Sequence, residues 1–109
     1  MIKKAGTIEE KMVGRTLTVV LYGEIDHHNA LKFRTSIDNI IMKKKPLKLI
    51  LDLSNIEFMD SSGLGFIMGR YNKIQDLGGE LLIQNPNEAV LKICRLAGLN
   101  RLINIETNI

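Results

Sequence analysis

Thr7 to Met12 and Thr16 to Ile25 read as two strands, rich in β-branched and apolar residues and joined by the tight turn Val13-Gly14-Arg15, so a hairpin opens the chain. The second strand carries more apolar residues and is expected to be the more buried. From Asn29 to Lys43 the period changes: Ala30, Phe33, Ile37, Ile40 and Ile41 recur at helical spacing, until the lysine run and Pro46 end the pattern. Leu47 to Leu53 is an almost unbroken apolar run, as expected of a central strand covered on both faces. Leu64, Ile67, Met68, Tyr71 and Ile74 then form a second helical stripe, closed by Gly78-Gly79. Glu80 to Gln84 predicts another strand. After the turn Asn85-Pro86-Asn87, Asn87 is placed to cap a third helix whose shared face is Ala89, Val90, Ile93, Cys94 and Ala97, and Gly98 ends it. Leu102 to Ile105 is short enough for a last edge strand, and 106–109 carry no assignment.

Strand and helix alternating with short connections predict one α/β domain over 1–109: a mixed, mostly parallel sheet of about five strands with crossover helices, plus one antiparallel strand from the hairpin. Functional loops of such sheets gather at the carboxyl ends of the parallel strands. That places Asp26-His27-His28-Asn29 and the segment before Ser62 at the same end.

Composition narrows the function classes. A chain of 109 residues, 45% hydrophobic, closes one core and hardly two. Met1-Ile2-Lys3-Lys4 is not followed by the apolar run of a secretory signal and the apolar stretches are strand-sized, so a cytoplasmic protein that does not enter a membrane is expected. One cysteine, Cys94, excludes an internal disulfide and reads as a small buried hydrophobe; with no Cys/His cluster, neither metal nor cofactor is expected. The net charge of +3 concentrates at Lys43-Lys44-Lys45, where lysines favour the negative end of a helix dipole. With aromatics at 5% of the chain there is no stacking platform, and no direct nucleic-acid partner is expected.

The densest chemistry lies in Asp60-Ser61-Ser62-Gly63-Leu64-Gly65, where the strand pattern gives way to a helical one. A serine hydroxyl at a helix start sits beside free N–H groups and the positive dipole end, so it can carry a phosphate without unfolding the domain. Ser61 is therefore a candidate phosphorylation switch, set against the plainer role of Asp60 and the serines as helix caps. A hydrolase would need His27 or His28 as base and Asp26 as orienter, yet Met59 stands where a Gly-x-Ser-x-Gly elbow needs glycine. Gly63-Leu64-Gly65 lacks the endings of a phosphate-binding loop. Close backbone approach accounts for Gly65, while Gly63 is open to either reading. Leu64, in the first turn, is expected to be partly exposed; Ile67, Met68 and Tyr71 are assigned to the core.

Phe58-Met59-Asp60-Ser61-Ser62-Gly63-Leu64-Gly65, together with Gly23-Glu24-Ile25-Asp26-His27-His28, resembles the bacterial anti-sigma factor antagonists of the STAS domain family, most of all their sporulation members. Gly69-Arg70-Tyr71, Gly78-Gly79-Glu80 and Ala97-Gly98-Leu99 extend the likeness over nearly the whole chain. The resemblance implies a partner switch. The serine directly after the motif aspartate, here Ser61, would be phosphorylated by a nucleotide-bound serine kinase that is itself the anti-sigma factor, and dephosphorylated by a PP2C-type phosphatase. The unphosphorylated form would bind that kinase and free the sigma factor. It further implies a partner surface of Glu24, Asp26, His27, Asp60, Ser61, Ser62, Gly63 and Leu64, with no catalytic residue. Family domains commonly close with a further helix, and this chain is expected to stop about where it would begin. Alternative readings are a STAS scaffold module in a stress-response complex, or a small hydrolase using Ser61 as nucleophile.

Overall fold

In the computed structural model, which describes residues 3–107, the predicted hairpin is formed by β1 (Ile8–Val13) paired antiparallel with β2 (Thr16–Ile25). Beyond it β3 (Lys48–Met59), β4 (Glu80–Gln84) and β5 (Asn104–Glu106) add in parallel, giving the spatial order β1-β2-β3-β4-β5. Helices α1 (His27–Lys44), α2 (Ser61–Asp76) and α3 (Glu88–Leu96) connect the parallel strands, and a single 3-10 turn, Leu99–Arg101, precedes β5. The mixed, mostly parallel five-stranded sheet expected from the chain's alternation is the sheet observed.

The strand register explains the core. Leu17, Leu49 and Leu81 stand in one row across β2, β3 and β4, and Val19, Leu51 and Ile83 in the next such row, all buried. The intervening row, Thr18 and Ile50 with Leu82, is only partly covered at its first two positions. Phe33, Ile37 and Ile41 of α1 and Phe66, Ile67 and Ile74 of α2 complete the apolar cluster. The two helices pack on each other, with the Phe33 and Phe66 rings 6.0 Å apart.

Three elements differ from the pattern-based expectation. β3 runs on to Met59, well past Leu53, because its pairing with β2 slips by one residue at each of two places, between Val20 and Tyr22 and between Gly23 and Glu24. Each slip inserts an extra residue on β3, so Leu53, Ile56 and Met59 all reach the core at steps of three, a spacing that does not look like a strand. α1 starts at His27, two residues earlier than Asn29, so both histidines lie in its first turn. β5 starts two residues later than Leu102, which is exposed because the 3-10 turn occupies that stretch. Within the helices, Ala89 and Ala97 are exposed, and Met68 and Tyr71 half-buried. Arg70 takes a fully buried place on α2 that the apolar stripe did not include. Of the unassigned tail, Glu106 belongs to β5, and Asn108 and Ile109 lie outside the described residues.

Candidate functional site: two helix starts side by side

The last residues of β2 and β3, Ile25 and Met59, are register partners, and the Asp60 N–H donates to the Ile25 carbonyl at 3.2 Å. Each strand is followed at once by a helix, so the starts of α1 and α2 are held next to one another. Both are capped by an aspartate in extended backbone. Asp26 Oδ1 accepts from the Asn29 N–H at 2.8 Å, and Asp60 Oδ1 accepts from the Ser62 N–H at 2.8 Å. Asn29 reaches back to donate to the Glu24 carbonyl at 3.1 Å, tying α1 to the end of β2. The Asn87 side chain, while capping α3, donates at 3.2 Å to the carbonyls of both Ile56 and Glu57. Those groups lie beyond Asp52, the last β3 residue that pairs with β4, so Asn87 satisfies backbone that the sheet leaves open.

Ser61 is the first residue of α2 and is exposed. Among the described residues its hydroxyl makes no hydrogen bond to protein, to His27 and His28 in particular, whereas the neighbouring Asp60 carboxylate is engaged as a cap. Ser62 and Leu64 are half-buried. Gly63 is buried, and a Cβ there would fall well inside contact distance of Met59 Cγ and Sδ, with Ile25 close behind. Gly63 is therefore the glycine that needs close approach. Around Gly65 a Cβ would meet nothing within 4 Å, which corrects the reading that gave Gly65 this role.

The remaining predicted surface residues fall into two places. His27 joins Ser62 on a groove of about 480 Å³ between α1 and α2, whose other lining includes His28, Leu31, Arg34, Gly65 and Phe66. Glu24 is exposed, but it lines a separate polar groove with Tyr22, Asn29, Asn55 and Glu57. Asp26 is half-buried, its carboxylate turned to the α1 start.

Below the helix starts, Arg70 is 3% exposed and locks the helix pair. Its Nε lies 2.8 Å from Asp38 Oδ1 on α1, its Nη1 donates to the Phe66 carbonyl at 3.2 Å, and its guanidinium sits 5.3 Å from the Phe66 ring centre. Burial pulls the Arg70 pKa down, the Asp38 charge opposes that shift, and the nearby Arg34 adds to it. This residue was missed because a lone arginine between apolar positions reads as solvated; its spacing of four from Phe66 was the available signal. Among the described residues no three His, Cys, Asp or Glu side chains are grouped to hold a metal, and no helix is long and apolar enough to cross a membrane.

Residues 7–109 match the family model described as the STAS domain. An anti-sigma F factor antagonist from Paenibacillus polymyxa is 39% identical over 92 residues, covering 84% of this chain and 79% of its own. The solved structure of the anti-sigma factor antagonist SpoIIAA in its unphosphorylated form superposes with a TM-score of 0.79 at 30% identity, covering 94% of this chain and 90% of that one. The phosphorylated form of the Bacillus cell fate determinant SpoIIAA gives 0.71 at 29% identity, covering 94% and 93%.

Proposed function

Because the chain belongs to the STAS domain family, we propose that it is an anti-sigma factor antagonist working as a phosphorylation-controlled partner switch, with Ser61 as the switch residue. The unphosphorylated form binds a cognate anti-sigma factor, a serine kinase carrying nucleotide, and so releases the sigma factor in the cytoplasm. Phosphorylation of Ser61 ends that binding, and a PP2C-type phosphatase restores it. The observation that carries this reading is the exposed Ser61 hydroxyl, free of protein partners at the first position of a helix whose cap is supplied by Asp60 instead.

The energetics favour a switch of binding and not of fold. A phosphate adds about −1.5 to −2 charges at neutral pH, and at a helix start a negative group is worth about 0.3–1 kcal/mol to the folded domain. The same charge pressed into a docked interface loses hydrogen bonds and meets repulsion, and each 1.4 kcal/mol lost weakens binding about tenfold. The caps and core stay as they are.

The test is to mix the protein with a candidate anti-sigma kinase and ATP and locate the phosphate by mass spectrometry in wild type and Ser61→Ala. Modification of wild type at Ser61, absent from the variant, is expected. Persistent modification in Ser61→Ala would move the switch to Ser62 or elsewhere. In the same experiment a serine-directed acylating reagent should leave Ser61 unreacted, as a phosphoacceptor without a general base requires.

A further inference from the structure

The α1–α2 groove beside Ser61 contains more than the switch motif. One wall is α1, with Leu31 56% exposed and Arg34 exposed; the other is α2, with Ser62 and Gly65, and Phe66 is among the buried lining. Leu31 thus leaves an apolar side chain more than half in water beside a concave surface, as Met42 does further along the same helix, while Phe33, Ile37 and Ile41 of α1 are buried.

The charges around the groove are unevenly compensated. No carboxylate is among the groove's lining residues, and the aspartates at the two helix starts and between the helices are in use: Asp26 and Asp60 accept from helix N–H groups, and Asp38 is taken by Arg70. Arg34 makes no ion pair among the described residues, and it faces the same side as two helix starts, each the positive end of its dipole. The groove therefore offers an apolar contact and an uncompensated cation together.

We propose that this groove is the docking slot for an acidic segment of the anti-sigma factor, one that presents a carboxylate to Arg34 and an adjacent apolar side chain to Leu31 and Phe66. The inference rests on the partner-switch reading and extends its interface from the serine motif to the exposed face of α1. It assigns Leu31 and Arg34, which lie outside the motif, as determinants of affinity and partner choice. The slot is continuous with Ser61 through Ser62, so a phosphate on Ser61 adds negative charge at the mouth of a site shaped for a carboxylate. Repulsion of the incoming segment follows directly.

Binding of the nucleotide-loaded anti-sigma factor to wild type, Leu31→Ala, Arg34→Glu and Ser61→Asp tests this by calorimetry at two salt concentrations. Leu31 and Arg34 are exposed, so thermal unfolding of their variants should match wild type. Expected are a loss of affinity of about tenfold for Leu31→Ala and more for Arg34→Glu, with a shallower salt dependence for Arg34→Glu. Unchanged affinity in both variants, with Ser61→Asp still failing to bind, would overturn the docking slot alone. Wild type failing to bind the anti-sigma factor would instead overturn the partner-switch reading. Equal losses with an unchanged salt dependence would also contradict the carboxylate contact with Arg34.

Discussion

Gly63 and Gly65 stand two residues apart on α2 and should respond to a methyl group in opposite ways. At Gly63 the added carbon would collide with Met59, which is itself buried, so Gly63→Ala is expected to destabilise the domain by about 1–3 kcal/mol, as overpacking does. Gly65 has open space around it in an ordinary helical conformation, so Gly65→Ala should stabilise by about 0.5–1 kcal/mol through the helix-forming advantage of alanine. Denaturant midpoints of the two variants check both signs. Asp60 allows a comparable separation of roles. Asn caps a helix about as well as Asp, so Asp60→Asn should leave the denaturant midpoint almost unchanged; a carboxylate that also orients the Ser61 hydroxyl within the kinase complex would show itself as slower phosphoryl transfer to the variant. An unchanged transfer rate would confine Asp60 to capping.

Among the elements, the place of Ser61 beside the start of α1 depends on how α1 and α2 are held together. Arg70 and Asp38 form the polar part of that contact, and their unequal exposure, 4% against 21% for the side chains, makes the two deletions unequal. Asp38→Ala strands a buried guanidinium and should cost toward the lower end of the about 3–5 kcal/mol seen when one partner of a buried pair is removed. Arg70→Met keeps an apolar stem against Phe66 and leaves Asp38 partly to water, so its cost should be smaller. Urea unfolding of both measures the order, and a larger loss for Arg70→Met would contradict it. The same elements show where the sequence was readable. Strand and helix alternation exposed the sheet, and Asp60-Ser61 marked the true start of α2, because turn residues and changes of period are local properties. The end of β3 was hidden, since register slips place Ile56 and Met59 in the core at a spacing no strand pattern anticipates. Arg70 and the groove were hidden for another reason: pairing with Asp38 across two helices is a tertiary fact that neither helix states alone.

In the molecule as a whole, the motif rests on the core through Gly63, yet Ser61 itself is exposed, so a group added to its hydroxyl extends into solvent and not into the apolar cluster. Cys94 is fully buried in the apolar cluster and burial pushes its thiol pKa up, so a thiol-alkylating reagent should label it only as fast as the domain opens. Labelling of the native protein at the rate of a free thiol would contradict the packing described. As proposed, a phosphate on Ser61 changes what the domain binds and leaves how it folds untouched. Protein phosphorylated at Ser61 and its unmodified form are taken through two assays in parallel, thermal unfolding and affinity for the nucleotide-loaded anti-sigma factor. Closely similar melting temperatures are expected, with an affinity weaker by about a hundredfold for the phosphorylated form, the equivalent of roughly 2.7 kcal/mol. Equal affinities, or a phosphorylated domain that melts far below its unmodified form, would contradict it.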